Sequence, residues 1–340
     1  MRKDKQQNIE APRQARDDHK PRVLVVAGPT ASGKSDLAIR LARKFNGEIV
    51  SADSRQVYRG MDIGTGKVRR DRTFPSEKLK VKSEKWRKAD FYSEGIRHHL
   101  LDVASPSRQY SVARFVRDAR LAVADILKRG KLPIVCGGTG FWIDALVYGQ
   151  SIPDVKPDAK LRARLTGLTA AQLYARLKKL DPRRAASIDR HNPVRLIRAL
   201  EIVMTTGKPV PRRFNGSPYE PLYLGVSRPF PELKRRIERR LDARLKSGMV
   251  AEVRRLHGSA SLTASRGGLS YKRLESFGLE YRWVARFLQK KITRTQMRDG
   301  LLKDITAYAK RQLTWWRKNP DVRWIASPSE AERLVREFVV

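Results

Sequence analysis

The chain is poor in three things. It has a single cysteine, Cys136, which excludes both a disulfide within the chain and a cysteine-built zinc site. No apolar stretch reaches the length of a membrane span, and residues 1–20 lack the apolar core of a signal peptide. A cytoplasmic protein with no membrane contact is therefore expected. Acids are scarce as well: 35 Asp and Glu stand against 73 Lys and Arg, for a net charge of +38. A substrate the size of one nucleotide does not call for so much charge. It is the footprint expected for a polyanion such as nucleic acid, although a merely basic soluble protein would share it.

At 340 residues and 40% hydrophobic, the chain can bury one large core or two modest ones. Its most specific local feature is Gly28-Pro29-Thr30-Ala31-Ser32-Gly33-Lys34-Ser35, a complete G-x-x-x-x-G-K-[ST] loop. The loop follows the apolar run Val23–Ala27 and precedes a helical pattern from Asp36 to Ala42. Strand, glycine loop and helix in that order form a cradle for phosphate, with amides and a helix N-terminus turned toward the anion. Lys34 supplies a mobile positive charge. Ser35 supplies a hydroxyl able to hold Mg²⁺.

A second strand over Glu48–Ala52 ends on Asp53, which an open parallel sheet would turn toward the same crevice as the loop. From spacing alone Asp53 reads equally as a general base, as a magnesium-binding acid, or as a cap of the next turn. Residues 67–90 are a basic charge run that reads as a surface insertion. Helical spacing at Val112, Phe115, Val116, Ala119 and Val123 is followed by the apolar run Leu132–Cys136, so Cys136 reads as a core residue. That run ends in Gly137-Gly138-Thr139-Gly140. This alternation predicts an α/β fold, a P-loop NTPase-like doubly wound parallel sheet with a helical insertion and a helical C-terminal part. The division reads as a polar tail at 1–20, a core at 21–151, a helical insertion at 152–215, and the rest of the core with its helices at 216–325. A helix or tail follows at 326–340. A strand at Pro221–Val226 rejoins the sheet. After it come a helix with Leu233, Ile237, Leu241 and Leu245 on one stripe and a last helix around 300–318. Arg236, Arg240 and Arg244 share a ridge of the first of these helices, which by itself reads as a mostly solvated basic face.

The block Asp53-Ser54-Arg55-Gln56-Val57-Tyr58-Arg59-Gly60-Met61-Asp62-Ile63-Gly64-Thr65-Gly66-Lys67, taken with Gly28–Ser35, resembles the tRNA dimethylallyltransferase (tRNA isopentenyltransferase) family. So do His99–Asp102, Tyr110–Ala113, Gly137–Gly140, Asn192–Glu201 and Ala309–Arg317, in family order over roughly residues 23–325. The resemblance is to the bacterial form without a zinc finger. It implies transfer of a dimethylallyl group from dimethylallyl diphosphate to the N6 amine of the adenine 3′-adjacent to the anticodon, in tRNAs reading codons that begin with U. It also implies Mg²⁺, binding of the tRNA anticodon stem-loop, and a monomer. Under it Gly28–Ser35 hold the diphosphate, Asp53 is the base, and Arg240, Lys34 and Thr30 complete the catalytic set. Contacts to tRNA fall on Asp53, Ser54, Arg55, Gln56, Thr139, Arg162, Val194, Arg195, Leu196, Ile197 and Arg198. They continue on Phe277, Gly278, Leu279, Glu280, Tyr281, Arg282, Lys310 and Arg311. Phe277, Tyr281 and Trp283 offer stacking surface for bases. Where the family commonly reads G-Y-[KR], this chain has Glu280-Tyr281-Arg282, and Thr306-Ala307 stands near a usual T-R-Q. Rival readings are a P-loop kinase that turns over ATP, a prenyltransferase acting on a free adenine nucleotide, and a non-catalytic RNA-binding module.

Overall fold

The computed structural model describes residues 20–71, 91–150, 152–153, 155–211, 216–259 and 268–340. All but the last residue of the tail read at 1–20, and most of the charged segment read at 67–90, lie outside the described residues. Seven strands form one sheet: β1 (Arg22–Ala27), β2 (Gly47–Ser51), β3 (Phe91–Ser93), β4 (Ile96–His99), β5 (Leu132–Gly137), β6 (Glu220–Val226) and β7 (Val322–Ile325). Their order is β3-β4-β2-β5-β1-β6-β7, and all neighbours are parallel except β3 and β4, which form an antiparallel edge hairpin.

The central strands are apolar on both faces because both faces are covered. Val23, Val25 and Ala27 of β1 enter one core with α2 (Val112–Lys128), α3 (Gly140–Val147), α8 (Phe230–Lys246), α9 (Met249–Gly258) and α12 (Arg294–Arg317). Leu24 and Val26 enter the other, with α1 (Lys34–Lys44) and α13 (Pro328–Val339). Residues 328–339 are thus a packed helix. Two short helices, α10 (Tyr271–Ser276) and α11 (Leu279–Leu288), lie between α9 and α12.

Between β5 and β6 the chain forms α4 (Ala159–Thr166), α5 (Ala170–Leu180), α6 (Pro182–Ser187) and α7 (Pro193–Thr206). The prolines that punctuate this stretch mark helix starts: Pro182 and Pro193 follow the side-chain caps Asp181 and Asn192. A missing N–H costs nothing at that position. Thr169 and Gln172 form a reciprocal capping box at the start of α5. These helices close over a hydrophobic cluster of their own, with Leu161, Leu165, Leu173, Leu177, Leu196 and Leu200 inside.

Candidate active site

The functional groups gather at the carboxyl ends of the parallel strands. Beyond β1 the glycine loop needs backbone that side chains resist. Gly28 has φ +154°, and a Cβ there would lie 2.4 Å from the Val226 carbonyl oxygen at the end of β6. Gly33, at φ +98°, turns the loop into α1. Lys34 is half-buried beneath the loop, desolvation lowers its ammonium pKa, and its Nζ donates to the Pro29 carbonyl at 3.3 Å. Ser32 Oγ is buried without a partner. Gln312 of α12 ties the loop to the neighbouring turn. Its Oε1 accepts from the Thr30 amide at 2.8 Å, and its Nε2 donates to the Gly138 carbonyl at 2.8 Å.

Asp53 leaves β2 facing this loop. Its Oδ1 accepts the amides of Arg55 (2.9 Å) and Gln56 (3.3 Å), which fixes the carboxylate and leaves Oδ2 for a ligand. Thr139 starts α3, but its hydroxyl caps the Ser54 amide at 3.1 Å. Tyr308, its hydroxyl pKa raised by burial, closes the same side. Asp53 and Glu280 are the two carboxylates of the cleft so formed, among the described residues.

The ridge on α8 departs from the solvated reading. Arg236 Nε donates to Ala31 O at 2.8 Å, Arg240 Nη2 to Gly66 O at 2.9 Å, and Arg244 Nη1 to Gly64 O at 2.9 Å. All three arginines hold backbone carbonyls around the cleft. Burial, and then the nearby charge of Arg244, lower the pKa of Arg240. Opposite them, Glu252 accepts the amides of Asp62, Ile63 and Gly64 at 2.7–3.0 Å and the Tyr281 hydroxyl at 2.8 Å. The 62–66 loop is therefore clamped from both sides. Lys67, read as part of a surface charge run, is buried against Asp62, Asp102 and the Tyr58 carbonyl.

Sequence reasoning passed over Glu252 and Gln312, yet a signal existed. Each is a polar residue on an otherwise buried stripe: Met249, Val253 and Leu256 around Glu252, and Ile305, Ala309, Leu313 and Trp316 around Gln312. Such a residue is buried only where it finds partners.

The residues assigned to tRNA fall into three groups. Ser54, Arg55, Gln56, Leu279 and Glu280 line the cleft. Val194 (75% exposed), Arg195, Arg282, Lys310 and Arg311 are exposed. Arg162 and Arg198 both hold Glu201, Arg162 through two bonds of 2.8 and 2.7 Å, while Ile197 packs against the lobe core. Two assignments are corrected. Leu196 and Tyr281 are each 0% exposed and offer no surface to a base, because one fills the lobe core and the other bonds Glu252. Gly278 is buried as well, at the turn before α11. Phe277 is half-buried edge-on between Tyr58 and Tyr281, and the Trp283 indole donates to Asp304 at 2.8 Å.

For magnesium the cleft provides the Ser35 hydroxyl and the Asp53 carboxylate, and no group of three acid, histidine or cysteine ligands occurs among the described residues. That set fits a hard ion that keeps water and takes its remaining ligands from a phosphate. No helix among the described residues is long and apolar enough to cross a membrane.

A family model described as IPP transferase matches residues 56–319, and one described as isopentenyl transferase matches residues 21–85. The tRNA dimethylallyltransferase 2 of Pelobacter propionicus is 38% identical over 322 residues, 92% of this chain and 93% of its own. The tRNA dimethylallyltransferase of Roseiflexus sp. is 38% identical over 321 residues, 93% and 95%. The full-length tRNA isopentenylpyrophosphate transferase from Bacillus halodurans superposes with a TM-score of 0.61 at 31% identity, covering 94% of this chain and 95% of that one. A eukaryotic dimethylallyltransferase acting on tRNA gives a TM-score of 0.67 at 27% identity, covering 87% and 69%. The clamped 62–66 loop and the Asp53 and Arg240 positions all fall inside matched segments, and the chain belongs to the tRNA dimethylallyltransferase family.

Proposed function

We propose that this chain transfers a dimethylallyl group from dimethylallyl diphosphate to the N6 amine of the adenine 3′-adjacent to the anticodon, in tRNAs reading codons that begin with U. The observation that carries the reading is one cleft holding Asp53 on one side and the Lys34–Arg240 cations on the other. The allylic C–O bond breaks, a C–N bond forms, and the amine proton passes to Asp53. Negative charge grows on the departing diphosphate, where Lys34, Arg240 and the loop amides stabilise it as it develops. A fixed carboxylate suits the base, since an adenine amine is a poor nucleophile until its proton is removed. Ser35 would hold Mg²⁺, which would neutralise diphosphate charge when bound. The target base must leave its stack to reach Asp53 inside the cleft. The +38 charge and the exposed Arg195, Lys310 and Arg311 support an RNA acceptor over a free nucleotide.

The test is incubation with labelled dimethylallyl diphosphate, Mg²⁺ and unmodified tRNA. Label is expected on tRNA and not on AMP. ATP consumption with a small acceptor and no label on tRNA would overturn the reading in favour of a kinase.

A further inference from the structure

Four basic side chains reach the cleft: Lys34, Arg55, Arg240 and Arg244. Two of them face the glycine loop and the 62–66 loop, Lys34 beneath the former and Arg240 on the Gly66 carbonyl. The other two share one carboxylate. Arg244 Nη2 donates to Glu280 Oε1 at 2.9 Å, and Arg55 Nη1 lies 3.7 Å from Glu280 Oε2. The Arg55 guanidinium also sits 5.7 Å from the centre of the Tyr308 ring, and Tyr308 itself lies beside Asp53 and Thr139. Glu280 is 6% exposed and occupies the first turn of α11, where the helix dipole favours an acid. Leu279, at φ +39°, is the left-handed residue that turns the chain into that position.

Both ligands of the proposed reaction are anions overall, but the group that must reach Asp53 is a neutral base. Without Glu280, Arg55 and Arg244 would present two more uncompensated charges in the cleft that holds Asp53, and a phosphate would compete with the base for that space. With it, the three groups carry a single positive charge, Glu280 accepting a hydrogen bond from Arg244 and pairing with Arg55 at 3.7 Å. We infer that Glu280 is a specificity-determining residue that reserves the Asp53 side of the cleft for an uncharged base, confining diphosphate to Lys34, Arg240 and the glycine loop. The inference rests on the prenyl-transfer reading for the identity of the two ligands.

The probe is inorganic diphosphate added at constant ionic strength while a fluorescent anticodon stem-loop RNA is titrated with protein. In the wild type, saturating diphosphate is expected to change RNA affinity by less than about twofold, because the two occupy different sides. In E280Q the trio gains one charge and diphosphate should enter both sides, weakening RNA binding about tenfold for an added charge at this separation. The double variant R244Q/E280Q restores the trio's net charge and should return to the wild-type response. An E280Q protein that responds like wild type overturns the inference, as does a double variant that responds like E280Q. Should E280Q fail to fold by circular dichroism, R244Q decides instead. Diphosphate affinity should then fall by less than about threefold, since Arg244 is already compensated, and a loss beyond tenfold would make it a diphosphate clamp and overturn the assignment. Prenyl transfer by the wild type is read separately. Its failure overturns the reaction, whereas transfer with unchanged E280Q competition overturns only the role of Glu280.

Discussion

Two buried glutamates, one in the cleft and one in the helical lobe, each gather a pair of arginines, and they do different work. Glu201 of α7 is fully buried and satisfied on all sides: Arg162 binds it through two bonds, Arg198 through one, and the Asp158 amide adds another at 2.8 Å. Its partners lie on or beside α4 and α7, so the cluster fastens the lobe to itself. Glu280 shares its arginines with the backbone of a neighbouring loop and with the ligand space. The same residue types thus serve cohesion in one region and the sorting of ligands in the other. Loss of the first should be read in stability, and loss of cleft residues in turnover.

Asp53→Asn gives the sharpest test of that division. The amide retains an oxygen for the Arg55 and Gln56 amides but removes the base, so turnover should fall by about 10²–10⁴-fold. Diphosphate binding and the unfolding midpoint should stay near wild type. Near-normal turnover would remove Asp53 as the base. Glu201→Ala should do the opposite. It leaves Arg162, Arg198 and the Asp158 amide without their acceptor, and because solvent reaches both arginines the cost in denaturant unfolding should be about 1–3 kcal/mol. Chemistry on already bound RNA should change far less. If Glu201→Ala lowered single-turnover rates as much as Asp53→Asn, the contrast between the regions would collapse.

The lobe should also be acid-sensitive. Burial pushes the Glu201 carboxyl up, but its bonds from Arg162 and Arg198 outweigh that and hold it at about 2. A folded-state value below the unfolded one means stabilisation that is complete above about pH 4.5 and is lost as pH falls toward 2. The loss should be about 2 kcal/mol, less than the full linkage value because both arginines are more than a third exposed and screened by solvent. Stability that is flat across this window in wild type, or identical in Glu201→Ala, would break the assignment. In the cleft, Gln312→Met removes both bonds that set the glycine loop against Gly138. We expect the Michaelis constant for the donor to rise about tenfold with RNA affinity unchanged, within the range for stranding a buried amide. A shift confined to RNA affinity would place Gln312 on the acceptor side instead.

How far the sequence could be read follows the same divide. The Gly28–Ser35 cradle and Asp53 were readable because each depends on a local pattern at a strand end. The central strands were readable because they are apolar on both faces. The edges were not: β3, β4 and β7 are three or four residues long, and β4 carries Arg97, His98 and His99. Nor, by spacing alone, was the α8 ridge, since Arg236, Arg240 and Arg244 look like a wet face until the glycine loop and the 62–66 loop lie across them. Charge state along a helix says nothing about which distant carbonyl will meet it. Tyr281 and Leu196 were misread for the converse reason, because an aromatic or aliphatic residue inside a binding motif can be the motif's support rather than its surface.

The smallest expected effect lies one residue from such a support. Arg195 and Leu196 are neighbours on α7, yet Arg195 is exposed and Leu196 fills the lobe core. Arg195→Ala removes no buried contact, so unfolding should stay within about 0.5 kcal/mol of wild type. If Arg195 meets a phosphate, the variant should bind anticodon stem-loops of different sequence with equally reduced affinity, and the slope of log affinity against log salt should flatten by about one. Leu196→Ala should leave that slope alone and instead lower the lobe's stability by about 2–5 kcal/mol through the cavity it opens. An unchanged slope in Arg195→Ala would mean that RNA does not reach this face of α7, and the lobe would then contribute shape to the complex without charge.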